Sequence, residues 1–262
     1  MKYLKMYSRQ SSMTRASFRE RRMTRIHSAR DAAFVPETRI GFWFLGTQTW
    51  ARHVLCPALH DLERLIPERK PSYPIVLDAG CGQGKSFRLL IEHFAPQRMI
   101  GVDAERKCLQ RAHIEAAKEN VPIELRHRDV AELDLPDASV DLVFCHQTFH
   151  HLTRQQMALQ EFYRVLKPGG LLLFAESTRA YIHSWIIRLL FRHPMHLQRS
   201  AAEYVTMIRF HRFTFGPENV SLPYPWWSRP DLGAFEWFGF AIPRDREETL
   251  INVAALKADS PH

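Results

Sequence analysis

The chain has 262 residues, 45% of them hydrophobic and 24% charged, with 11 glycines and 16 prolines. That is the make-up of an ordinary globular protein, long enough for one α/β domain with an elaboration, and it excludes a scaffold small enough to need metal or disulfide staples. No run approaches the ~20 apolar residues of a transmembrane helix, and Cys56, Cys81, Cys108 and Cys145 form no C-x-x-C pair, which suits a reducing, cytoplasmic setting and excludes a disulfide framework or a cysteine zinc site.

The net charge of +8 belongs to the first 30 residues, where nine basic side chains face only Glu20, so the remainder is neutral. Residues 1–30 read as a basic, disordered tail, or as codons upstream of a start at Met6, Met13 or Met23. Their Arg- and Ser-containing, acid-poor character also fits a transit peptide or an arm for nucleic acid or an anionic membrane. Residues 31–72 read as a helical flap, with Trp43, Phe44, Trp50, Val54, Leu55, Leu59 and Leu62 at roughly helical spacing.

From Ile75 short apolar runs alternate with amphipathic helices: strands at 75–77, 99–102, 123–126, 140–145 and 171–175, helices reaching Phe94 and over 105–120 and 154–166. That alternation predicts βαβ units and a parallel sheet covered on both faces. The spacing breaks at residues 180–232, rich in aromatics, His and Arg, and resumes near 235–242 and as an alternating strand at 249–256. The expected fold is α/β: a Rossmann-like, seven-stranded, mostly parallel sheet, with the core over 73–262 and an aromatic-rich cap at about 180–232.

The first strand runs into Asp78-Ala79-Gly80-Cys81-Gly82-Gln83-Gly84-Lys85-Ser86. Three ligands compete for this turn. Gly84-Lys85-Ser86 fits a relaxed phosphate loop, but Ala79 replaces its first glycine and Asp78 sets a carboxylate beside the cradle. A dinucleotide loop wants glycine where Phe87 stands. S-adenosylmethionine needs close-approach glycines for its methionine part, an acid for the ribose and an acid or amide for the adenine. Asp78-x-Gly80-x-Gly82-x-Gly84, then Asp103, then Asp129 supply these at successive strand ends, where ligands of such sheets bind.

Val76–Gly84, Gly101-Val102-Asp103, Arg128-Asp129-Val130, Leu135–Val143 and Leu166-Lys167-Pro168-Gly169-Gly170 stand in order over residues 73–178. Together they resemble the motifs of class I S-adenosylmethionine-dependent methyltransferases, near the branch of ubiquinone and menaquinone C-methyltransferases. The resemblance implies S-adenosylmethionine contacts along Asp78, Gly80, Cys81, Gly82 and Gly84, with Asp78 near the methionyl amine. It implies Asp103 on the ribose, Asp129 and Val130 at the adenine, and His146 beside the sulfonium.

Methyl transfer is an in-line displacement in which positioning dominates, and a base matters only when the nucleophile carries a proton. His150 and His151, in the loop after the fourth strand, are the candidate bases. No metal is expected: His193 and His196 flank a proline without further ordered ligands. Trp185–Arg192 reads as an amphipathic helix, and Tyr204, Phe210, Phe213, Phe215, Tyr224, Trp226, Trp227, Phe235 and Trp237 make the cap aromatic. The expected activity is methylation of O, C or N on an apolar or aromatic small molecule of lipid, quinone or secondary-metabolite type, with Arg188, Arg192, Arg209 or Arg212 meeting an acidic group. Nucleic acid is disfavoured by the neutral body, and peripheral membrane contact stays open. The rivals are an RNA or protein methyltransferase recruited through the basic arm, and a non-catalytic cofactor-binding assembly factor.

Overall fold

Strand and helix alternate from residue 75 as the periodicity predicts, and the alternation builds one mixed sheet. The computed structural model describes residues 34–223 and 248–258, all within one compact unit. β1 (Ile75–Ala79), β2 (Arg98–Asp103), β3 (Ile123–His127), β4 (Val140–His146) and β5 (Leu166–Ser177) pair in parallel in the order β3-β2-β1-β4-β5. β8 (Leu250–Lys257) runs antiparallel along β5, and the two-residue strands β6 (Phe213–Thr214) and β7 (Val220–Ser221) pair with β8. Among the described residues the sheet has eight strands rather than seven, because the turn at Pro217–Asn219 divides the edge; proline cannot donate to a ladder there. Strand order reverses between β1 and β4, and at such a switch point a cleft opens outside the carboxyl ends of the strands.

Side chains alternate along each strand, so the sheet feeds two cores. On one face Leu77, Ile100, Val143 and Phe174 pack with Leu159 and Phe162 of α5 (Gln155–Val165) and Tyr204 of α8 (Ala201–Phe210). On the other, Val76, Met99, Phe144 and Leu173 pack with Phe87 and Leu90 of α3 (Phe87–Phe94) and Ala112 of α4 (Arg106–Ala116). Leu55, Leu59, Leu62 and Leu65 join this second core. They lie on α2, a continuous helical run over 48–65 in which Ala51–Leu55 is wound as a π-segment. The wider turn changes the helix's angular register, so Trp50 and Val54 face a cleft while the leucines face the sheet. Asp61 fixes α2 to the sheet edge by accepting from Asn252 Nδ2 at 2.8 Å and from the Ser221 hydroxyl.

Ahead of α2, residues 34–38 and α1 (Arg39–Leu45) cross the carboxyl edge. Phe34 bridges Leu152, Val35 N donates to His151 O at 3.3 Å, and Gln83 Nε2 donates to Phe42 O at 2.6 Å. After β5 come α6 (Arg179–Ile182) and α7 (Trp185–Leu190), the latter two residues shorter than the predicted Trp185–Arg192. Thr38 Oγ1 donates to Leu190 O at 2.6 Å and so joins α1 to α7. The basic tail at 1–30, the expected regularity at 235–242, and Tyr224, Trp226, Trp227, Phe235 and Trp237 lie outside the described residues. Among the described residues no helix is long and apolar enough to cross a membrane.

Candidate functional site

β1 delivers the glycine loop to the switch point. Gly80 N and Cys81 N both donate to Val102 O, at 2.8 and 2.9 Å, locking the turn to β2. Gly80 and Gly82 have φ of +82° and +52°, a region costly for any residue with a Cβ. A Cβ at Gly80 would collide with Thr148, whereas one at Gly82 would meet nothing within 4 Å. The loop therefore closes on one side and leaves an open cradle on the other. Gly82 N donates to Asp103 Oδ2 at 2.9 Å, and Glu105 N donates to Oδ1 at 2.7 Å. Burial pushes the Asp103 carboxyl up to about 6, against the pull of those two amides.

A cleft of about 590 Å³ lies over these groups, lined by Gly80, Asp103, Ala104, Glu105, Asp129 and Val130 from the strand ends, with Phe34 to Glu37 across it. Asp129 accepts from Ala131 N at 2.9 Å and from Arg154 Nη2 at 2.7 Å, which fixes its orientation. The phosphate-loop alternative fails on side-chain commitments. Lys85 Nζ is paired with Glu115 Oε1 at 2.8 Å, and the Ser86 hydroxyl donates to Asp78. Neither is directed at a phosphate or a magnesium ion. What remains is an uncharged glycine cradle, an acid at the end of β2 and an acid with a buried valine after β3. That is a donor–acceptor set for a nucleoside bearing an amino-acid tail.

A family model described as "Methyltransferase domain" matches residues 77–174. Over those residues the chain carries a class I S-adenosylmethionine-dependent methyltransferase domain. A protein of Mycolicibacterium smegmatis named "Probable S-adenosylmethionine-dependent methyltransferase" is 41% identical over 104 residues, 40% of this chain and 38% of its own. An "S-adenosyl-L-methionine-dependent Diels-Alderase" of Talaromyces variabilis is 32% identical over 159 residues, 55% of this chain and 54% of its own. The chain thus aligns with about half or less of each of these relatives. A solved S-adenosylmethionine-dependent methyltransferase of Mesorhizobium loti superposes with a TM-score of 0.55 at 22% identity, covering 80% of this chain and 98% of that one, and shares the fold. S-adenosylmethionine is the cofactor of the methyltransferase core, and the residues present fit it: the cradle at Gly82 is open, and the Asp103 carboxylate keeps lone pairs beyond its two amide donors.

Of the residues predicted for the cofactor, Gly80, Asp103, Asp129 and Val130 meet in this cleft, and Gly82 is tied to it through Asp103. Asp78, Cys81 and Gly84 lie behind the loop. Asp78 is 2% exposed, and burial raises its carboxyl to about 7. Cys81 packs in the core beside Phe87, and a Cβ on Gly84 would press on Phe87 and Ala112. The His146 ring stacks on Phe144 at 5.8 Å and meets Trp50 at 5.5 Å, outside the lining of the cleft. Burial drops it to about 3. Arg188, Arg192, Arg209 and Arg212 line neither this cleft nor its neighbour; Arg209 lies over the Phe215 ring at 4.9 Å.

The neighbouring cleft, about 560 Å³, shares Glu37, Leu45, Gln147 and His151 with the first. Its walls are apolar: Phe44, Trp50, Val54, Ile187, Phe191 and Leu250. Its polar end holds His150, His151 and His193. Two residues of this region, Glu176 and Glu37, escaped the sequence reading, and a third, His193, was set aside there for want of further ligands. Glu176, fully buried at the end of β5, accepts from Thr148 N at 2.9 Å, Phe149 N at 2.7 Å and His150 Nδ1 at 2.5 Å. It thereby shapes the loop after β4 and orients His150. Glu37, raised to about 7 by burial, sits 3.1 Å from His151 Nε2. His193 comes from the segment after α7 and contacts both loop histidines, with ring centroids 5.1 Å from His150 and 4.7 Å from His151. An acid ending a buried strand, as Glu176 does in Ala175-Glu176-Ser177, was the available signal, because such a group needs donors.

Proposed function

We propose that the protein transfers the methyl group of S-adenosylmethionine to an O, C or N nucleophile of an apolar or aromatic small molecule. The observation that carries this reading is the second cleft, which opens beside the cofactor cleft and is walled by aromatic and aliphatic side chains with polar groups at one end. The cofactor supplies an electrophilic methyl group. The chain's own residues place the nucleophile in line with it and exclude water. His150, held in one orientation by Glu176, and His151 are the groups placed to take up a proton from the nucleophile. The kinship with a protein named as a Diels-Alderase supports a small organic acceptor, since that reaction joins unsaturated carbon frameworks.

The helices that contribute Phe44, Leu45 and Ile187 to the wall leave Ile40, Trp43, Trp185 and Leu189 exposed, which suits an acceptor drawn from a lipid surface in a cytoplasmic setting. A methyl-transfer screen with isotopically labelled cofactor over phenols, quinols and fatty acids tests the proposal. Labelled product with an apolar acceptor is expected, and deletion of residues 1–30 leaves the rate within twofold. Labelling confined to RNA or protein, and lost on that deletion, overturns it in favour of a macromolecular substrate.

A further inference from the structure

His150, His151 and His193 bring one ring nitrogen each to within 4.8 Å of the others. Their rings are in mutual contact, with 4.3 Å between the centroids of His150 and His151. Three imidazoles in an apolar wall form a costly arrangement unless their nitrogens have partners. His151 Nδ1 and His193 Nδ1 are buried with no hydrogen-bond partner. The opposite nitrogens of two of the rings are bonded to carboxylates: His150 Nδ1 to Glu176 at 2.5 Å and His151 Nε2 to Glu37 at 3.1 Å.

The geometry points to a transition-metal site in the acceptor cleft, with His150 Nε2, His151 Nδ1 and His193 Nδ1 as ligands to a divalent ion of the zinc, cobalt or iron(II) class. Metal-bound histidines characteristically give their other nitrogen to a carboxylate, which fixes the tautomer and raises ligand basicity. Here Glu176 and Glu37 occupy those outer positions on two of the three rings. An imidazole must be neutral to bind, and the buried, unpartnered Nδ1 atoms of His151 and His193 offer lone pairs that no protein donor takes up. Nitrogens in a tetrahedral zinc site sit about 3.4 Å apart, given Zn–N bonds of about 2.0–2.1 Å. Closing the cluster from within 4.8 Å to that spacing would bring the nitrogens together by at most about 1.4 Å.

Three protein ligands leave a coordination position open, as in catalytic rather than structural sites. The same three histidines line the acceptor cleft, so an acceptor bound there would be within reach of that position. The proposal rests on the methyltransferase reading for its consequence: the ion would select acceptors that present an oxygen and favour their deprotonated form, the proton leaving to solvent, with His150 and His151 serving as ligands in place of their role as bases. His196 and His211 stay outside the cluster, and the third ligand stands 42 positions beyond the second.

The test uses the full chain, stripped with chelator and titrated with zinc by calorimetry and with cobalt(II) by visible absorption. One ion per chain is expected, with an intense cobalt band of a four- or five-coordinate site. His193→Ala and His151→Ala should weaken zinc binding at least 100-fold, and Glu37→Gln roughly 10–100-fold. His93→Ala, which breaks the separate His60, Glu63 and His93 cluster on the far side of α2, should leave it unchanged. Binding lost in His93→Ala, binding unaffected by His193→Ala, or no binding to the wild-type chain overturns the site. S-adenosylhomocysteine titration of the same His193→Ala sample separates the two readings: retained affinity shows a folded methyltransferase core whatever the metal result, and loss of that affinity would count against the core.

Discussion

Replacing Asp103 should separate the cofactor cleft from a merely structural turn. The carboxylate accepts one amide on each oxygen, from Gly82 at 2.9 Å and Glu105 at 2.7 Å, and an ionised carboxylate offers about four acceptor positions in all. Two are left for the hydroxyls of a ribose. Hydrogen bonds to a charged group contribute about 1.5–3 kcal/mol each, so Asp103→Ala should cost about 3 kcal/mol of cofactor affinity at the lower bound. That is a factor of roughly 100–200 at about 1.4 kcal/mol per tenfold. Asp103→Asn keeps one acceptor oxygen but turns an NH2 toward one of the two amides, so it should still lose roughly tenfold or more. The assay is calorimetric titration with S-adenosylhomocysteine at pH 8, where a carboxyl of pKa about 6 is ionised. Wild-type affinity should fall as pH drops through 6, because the protonated acid cannot accept both hydroxyls, and the variants should show no such fall. A folded Asp103→Ala protein that binds within about threefold of wild type, with the same pH profile, would refute the assignment of this acid to the ribose.

Four further outcomes follow from the same coordinates. Asp78 is protonated in the folded state up to about pH 7 but ionises near 3.8 when unfolded. Its contribution to stability is therefore present at low pH and is lost as pH rises through 7. Thermal melts of the cofactor-free protein should show a decline on the order of 2–4 kcal/mol between pH 4 and 8, by about 1.4 kcal/mol per unit, and Asp78→Asn should flatten it. Gly80→Ala should abolish cofactor binding measured by calorimetry, since φ is +82° and the added Cβ strikes Thr148. Glu176→Ala should destabilise by about 3–5 kcal/mol in urea melts, because it strands a buried imidazole and two buried amides; Glu176→Gln should recover part of that. Lys85→Met should leave S-adenosylhomocysteine affinity within twofold, with no ATP binding detectable in either protein, because Lys85 serves Glu115.

Several features were legible in the chain because they are local. The alternation of apolar runs with helices sets the βαβ order, and a ligand of such a sheet must meet the strand ends. The order of Gly80, Gly82, Asp103 and Asp129 along the chain therefore already placed them side by side. Even within these motifs the side-chain directions were not legible. Cys81 and His146 stand in the right segments, yet the turn at Gly80 and the last pleat of β4 aim them into the core. The flap segment holds α1 and α2, but that Leu55, Leu59, Leu62 and Leu65 belong to the sheet's core depends on where α2 lands.

The sequence by itself determined the βαβ alternation and the chemistry of the cofactor, because each strand, the turn that follows it and the acid at its end are local features of the chain. Only the tertiary structure decided the second cleft. Glu37 arrives from before α1, His150 and His151 from the end of β4, Glu176 from the end of β5 and His193 from beyond α7. Their meeting depends on the long-range packing of α1 and α7 over the carboxyl edge, held by Thr38 on Leu190 and by the contact of Phe44 with Phe191. Interactions between residues 26 to 152 positions apart leave no periodicity in the chain, so the histidine cluster and its two carboxylates emerge only once those helices are in place.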